Sequence, residues 1–199
     1  CGAPPRPGPT IPGMGILTFG LNVTLDGCVD HRVGIADDET HAHFTALMGG
    51  AGAMLWGRTT YELMEDAWPD IAAGRVQAPP ALVEWALALE AKPKYVVSST
   101  RTEFPWTNSR LLAGAPGSDL ASAVRDLKAA TPDGVLLGSG LLGRQLHRLG
   151  LIDEYRLLIH PVFAGHGPRL FDGAEQAELV LLESRALNNG CLDVLYRRA

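Results

Sequence analysis

The chain has 199 residues, enough for one domain with a full core, and 46% of them are apolar, in short runs broken by Gly and Pro. No run is long enough to span a membrane, and a net charge of −5 with no basic block argues against nucleic acid as the main partner. Three cysteines, Cys1, Cys28 and Cys191, lie far apart without a C-x-x-C, which speaks against a metal site or a disulfide framework and for a reducing cytoplasm.

Residues 1–13 are rich in Pro and Gly and read as a flexible or wrapping arm ahead of a domain over 14–199. The arm opens on Cys1 rather than Met, which reads as a processed or truncated start, with a lipid-bearing Cys1 as the alternative. Met14–Leu21 reads as a first strand covered on both faces. It runs into Asn22-Val23-Thr24-Leu25-Asp26-Gly27, a turn at the strand's carboxyl end, the edge at which open α/β sheets bind ligands. Asp26 is there as a turn former or as a carboxylate in a cleft. Asp38 or Thr40 is placed to cap a helix over His41–Met48. His41 and His43 stand two apart, so on a helix they share no face for a metal.

Ala51–Trp56 reads as a second strand, followed by Gly57-Arg58-Thr59-Thr60 and a helix to about Met64. Arg58, Thr59 and Thr60 suit an anion, or else are a surface arginine and a helix cap. Trp68 is a core aromatic or a pocket wall. After a loop over Ile71–Pro80 come a helix over Ala81–Ala91 and a third strand, Lys94–Val97. That strand leads to Ser98-Ser99-Thr100-Arg101, a further anion site or a solvated loop. A short strand over Asn108–Leu112 and a helix over Leu120–Ala130 follow.

Val135-Leu136-Leu137 then enters Gly138-Ser139-Gly140, and Leu141, Leu142, Leu146 and Leu149 recur at helical steps until Gly150. At such a turn the first helical N–H groups lack intrahelical partners and suit a phosphate. Gly138 and Gly140 would let it approach the backbone and Ser139 would add a hydroxyl; the other reading is a turn that binds nothing. Asp153–Phe163 reads as a long strand. Ala177–Arg185 and Cys191–Arg198 alternate around Asn188-Asn189-Gly190, a hairpin signal. The whole predicts a single-domain α/β protein: a three-layer mixed sheet, parallel first, flanked by helices and closed by an antiparallel hairpin.

Several of these pieces, in this order, resemble the dihydrofolate reductase-like superfamily and, within it, the RibD C-terminal domain family, the reductase domain of bacterial riboflavin biosynthesis proteins. They are Thr24–Gly27, Leu55–Glu62 with Trp68-Pro69, Gly138–Leu142, and Leu151–Tyr155 through His160–Gly167. The resemblance implies an NADPH-binding reductase, often a homodimer, acting on a small molecule. It implies that Gly57, Arg58, Thr59 and Thr60 together with Gly138, Ser139, Gly140, Leu141 and Leu142 cradle the pyrophosphate. Ser98, Ser99, Thr100 and Arg101 would meet the ribose and its 2′-phosphate, and Val23 and Thr24 would lie beside the nicotinamide. A pterin-binding carboxylate on a substrate helix is not evident, so the substrate class stays open.

The expectation is thus hydride transfer to a C=O or C=N bond of a pterin-, pyrimidine- or sugar-like molecule. Asp26 is the first candidate for catalytic proton donor and substrate contact. Trp68 and His160 are candidate substrate-binding residues, and Glu65 and Asp66 are further candidate donors. The alternatives are an NADP(H)-binding regulatory or sequestering protein that has kept the fold without turnover, and a dimerisation module.

Overall fold

A computed structural model describes residues 14–114, 117–174 and 176–199. The arm predicted over residues 1–13 lies outside them. Thirteen elements follow one another: β1 (Leu17–Thr24), α1 (Asp38–Gly49), β2 (Ala53–Gly57), α2 (Arg58–Ala72), α3 (Pro80–Ala91), β3 (Lys94–Val97), β4 (Ser109–Ala113), α4 (Leu120–Ala130), β5 (Val135–Leu137), α5 (Gly140–Arg148), β6 (Glu154–His160), β7 (Leu179–Ala186) and β8 (Leu192–Arg198). The strands form one sheet in the order β4-β3-β2-β5-β1-β6-β8-β7. Every pair from β4 to β6 is parallel, and β8 and β7 close the far edge antiparallel. Among the described residues no helix is long and apolar enough to cross a membrane.

The sheet has two covered faces because its central strands are apolar on both. Along β2, Leu55 packs into one cluster with α4 and α5 (Val124, Leu127, Leu142, Leu146). Its neighbours Met54 and Trp56 point the other way, into a cluster with Met48, Tyr61, Trp85 and Leu89 of α1, α2 and α3. Burying such side chains stabilises the fold by about 1.5–3 kcal/mol each.

Several boundaries differ from the sequence reading. β1 runs through Thr24 instead of stopping at Leu21, because its polar residues are paired: Asn22 accepts from His160, and Thr24 bonds to Asp26 and Cys28. The cap of α1 is Asp37, not Asp38 or Thr40; its carboxylate accepts the Thr40 N–H at 2.8 Å. α2 continues eight residues past Met64, with Pro69 inside its last turns. β6 is shorter than the Asp153–Phe163 run, since Asp153 instead accepts the Leu17 N–H and pairs with Lys128.

Lys94 and Asp193 are charged groups buried with their partners. Lys94, fully inaccessible, donates to the carbonyls of Leu89 and Lys92 at 2.7 and 2.9 Å, closing the end of α3, and stands over the Trp106 ring. Asp193 on β8 takes a bidentate guanidinium from Arg156 on β6 at 2.7 and 2.6 Å.

Candidate functional site

β2 and β5 are neighbours in the sheet, yet the helices that follow them leave to opposite faces: α2 joins the cluster of Trp56, α5 that of Leu55. Adjacent parallel strands whose connections diverge leave a crevice at their carboxyl ends, where such sheets bind ligands. Here it is a cavity of about 400 Å³. Gly57, Arg58, Thr59 and Thr60 come to it from the turn of β2 into α2; Ser139, Gly140, Leu141 and Leu142 come from the turn into α5. These two turns are eight of the nine residues expected at the pyrophosphate.

Both helices enter the cavity uncapped. α1 and α4 have aspartates that accept from their first turns, whereas neither α2 nor α5 has a side-chain cap. Their first N–H groups and the positive ends of their dipoles are thus left for an anion. Ser139 departs from its expected role. Its buried hydroxyl accepts the Gly57 N–H at 2.9 Å and donates to Thr60 Oγ1 at 2.7 Å, so it ties the two turns together. Gly138 also serves the core: it is not on the cavity wall, and a Cβ there would lie 3.0 Å from Trp56 Nε1.

Other expected residues are elsewhere. The Ser98 hydroxyl closes its own turn by accepting from the Thr100 and Arg101 N–H groups, and Arg101 is engaged by Glu65 at 2.7 Å. Ser98 and Arg101 are thus engaged within the protein, Ser99 and Thr100 are exposed, and all four lie off the cavity wall, which Val97, just before them, reaches. Val23 and Thr24 are buried at the end of β1, off the cavity wall. Trp68 packs edge-on against Trp85 between α2 and α3, partly buried at the rim of that cluster and off the cavity wall. Glu65 is committed to Arg101 and the Tyr61 hydroxyl.

Asp26 is corrected as a proton donor. The Thr24 hydroxyl at 2.5 Å and the N–H groups of Gly165 and Ala164 at 2.9 and 3.1 Å all donate to its carboxylate. These bonds hold the group well below the ordinary carboxylate range, whereas a donor must keep its proton near neutrality.

His160 is likewise a buried strut and not a substrate contact. Nε2–H donates to Asn22 Oδ1 at 2.8 Å and Nδ1 accepts the Ile35 N–H at 3.0 Å, an arrangement that needs the neutral ring. Burial pushes its pKa below the ordinary value of 6.5, against the pull of the Asp37 carboxylate. The unfolded chain then binds a proton that the folded one excludes, so this contribution to stability is whole above pH 6.5 and falls as pH drops below it. We expect urea-unfolding stability to decline as pH falls below 6.5. His160→Gln should make that decline shallower, with the buried His43 supplying what remains; an unchanged slope would refute the assignment.

Sequence reasoning missed three polar wall residues, Arg144, Gln145 and Arg169. Arg144 and Gln145 stand three and four positions after Leu141, hence on its face of α5, a spacing visible in the sequence. Arg169 arrives from a loop and had no such signal.

An open, mostly parallel sheet with an antiparallel edge and a cavity between two uncapped helices agrees with the dihydrofolate reductase-like fold that the sequence resembles. The sequence profile of the RibD C-terminal domain family matches residues 16–192, and the chain belongs to that family. It is 28% identical over 185 residues to the uncharacterised protein YyaP of Bacillus subtilis, a match covering 90% of this chain and 93% of that one. A solved protein from Shewanella sp. PV-4, assigned to riboflavin biosynthesis, superposes with a TM-score of 0.66 at 20% identity, over 92% of this chain and 99% of that one. The diaminohydroxyphosphoribosylaminopyrimidine deaminase/5-amino-6-(5-phosphoribosylamino)uracil reductase of Thermotoga maritima superposes with a TM-score of 0.62 at 16% identity, over 94% of this chain and 57% of that one.

Proposed function

We propose that the chain is a reductase that draws hydride from a pyridine nucleotide, NADPH as its family implies, and delivers it to a C=O or C=N bond of a small, pyrimidine-like molecule. The observation that carries this is the pair of uncapped helix ends over one cavity, with Arg58, Arg144 and Arg169 on its walls. Free amides, two positive dipole ends and the guanidinium groups of Arg144 and Arg169 suit a nucleotide diphosphate, while Arg58 on the same wall is paired with Glu62 at 2.8 Å. Ser139 keeps the two turns in register. Bound there, the dihydronicotinamide would supply the hydride. Among the described residues that line the cavity there is no carboxylic acid, imidazole, phenol or thiol, which supports solvent or the substrate as the source of the proton.

That same lack of an acid favours a second reading, a nucleotide-binding protein without turnover. A second copy of the chain along β7 belongs to the proposal too. β7 is the sheet's edge strand and exposes Leu179, Leu181 and Leu182. A cytoplasmic setting fits the buried, unpaired Cys28 and Cys191.

Thermal-shift titration with NADPH and NADH tests the reading. Nucleotide at a hundredfold excess over its dissociation constant should stabilise the fold by about 2.7 kcal/mol. Ser139→Ala leaves the Gly57 N–H and Thr60 hydroxyl unpaired, which should cost about 1–3 kcal/mol and weaken binding. No shift with either nucleotide would remove the proposal. A shift with no oxidation of NADPH across carbonyl and imine substrates would select the second reading.

A further inference from the structure

The segment between β6 and β7 is laced to the turn after β1. Leu25 N–H donates to the Val162 carbonyl at 3.0 Å, Val29 N–H to Pro168 at 2.9 Å, and Leu170 N–H to Gly27 at 2.9 Å. Cys28 and Arg169 form an antiparallel bridge. Gly167 permits the close approach: its φ is +86°, and a Cβ on it would lie 2.8 Å from Cys28 Sγ.

Asp26 sits where the two segments meet. Besides the Ala164 and Gly165 N–H groups, its Oδ2 faces Arg169 Nη2 at 3.6 Å, and Arg169 Nη1 donates to the Asp26 main-chain carbonyl. Arg169 lines the cavity; Asp26 does not. The Arg169 side chain is 49% exposed, so without a tether it would sample many rotamers.

We propose that Asp26 is a positioning residue. It holds Arg169 on the cavity wall, where Arg169 joins Arg144 and the uncapped amides in gripping the diphosphate of a bound nucleotide. This rests on the nucleotide reading above and gives Asp26 a task that its ionised carboxylate can perform. An arginine already fixed by its acid loses less freedom on binding, and its charge-assisted bonds to phosphate are among the stronger ones.

The test is a double-mutant cycle on the dissociation constant of NADPH, measured by calorimetric titration at low and high salt for the wild type, Asp26→Asn, Arg169→Gln and the double variant. Arg169→Gln should weaken binding by about tenfold, and Asp26→Asn by about two- to fivefold, since the main-chain carbonyl that accepts from Arg169 is kept. The double variant should bind no more weakly than Arg169→Gln alone, because Asp26 acts through Arg169. Arg169→Gln should also reduce the salt dependence of binding. Losses that multiply in the double variant, or an Asp26→Asn chain of unchanged affinity, would overturn the inference and leave the nucleotide reading standing. A wild type that binds no NADPH would overturn both. Should Asp26→Asn fail to fold, Asp26→Glu takes its place in the same cycle, with the same outcomes deciding.

Discussion

Replacing Arg156 with methionine is expected to cost the fold about 3 kcal/mol, a large share of a domain's net stability. The Asp193 side chain is 0% exposed, and Arg156 supplies both of its short hydrogen bonds while Nη1 reaches Glu183 at 2.7 Å. Truncating the guanidinium strands a buried carboxylate. Arg185 at 3.8 Å and His43 at 3.7 Å remain near it, which places the cost at the low end for a broken buried pair. Urea unfolding of Arg156→Met measures this directly. Adding Asp193→Leu to the same chain should recover much of the loss, because it removes the stranded charge. An Arg156→Met protein within about 0.5 kcal/mol of wild type would show the pair to be energetically idle.

The second large effect is expected at Gly143, one turn into α5. A Cβ there would lie 2.4 Å from the Phe19 ring, which is fully buried and held edge-on by Tyr155 and Phe171. Ring and helix cannot both stay. Gly143→Ala should cost about 1–3 kcal/mol through overpacking. It should also push the start of α5 away from Gly57 and Thr60, breaking the Ser139 tie. We therefore expect lower melting temperature and weaker nucleotide binding together. A variant that is destabilised but binds NADPH normally would mean that the cavity does not depend on the seating of α5.

Most of the element order was legible, because apolar runs alternated with helical spacing and Gly, Pro and Asn marked the breaks. The misread boundaries fell where long-range partners override local signals. Asn22 and Thr24 read as the end of a strand, yet His160, Asp26 and Cys28 pair with them and β1 continues. Trp68-Pro69 read as beyond a helix that in fact runs to Ala72. The site was half legible for the same reason. Glycine turns at strand ends announced the starts of α2 and α5. No local pattern showed that the Ser139 hydroxyl would be spent on Thr60, or that Glu65 would occupy Arg101 from 36 residues away. Asp26 was rightly seen as lying at the sheet's carboxyl edge, but its donors come from residues 164 and 165, which only the folded chain brings near.

The place of β1 in the sheet bears on how the chain can be divided. Its neighbours are β5 and β6, and the Leu17 N–H finds its acceptor on Asp153, 136 residues downstream. During synthesis the first strand therefore has no ladder to join until most of the polypeptide has left the ribosome. Closing so long a loop precedes any contact that could offset its entropy, as in other folds of high contact order. Any fragment ending before Val135 carries an apolar first strand with neither neighbour, so the N-terminal half is not a unit that could be exchanged or inherited alone.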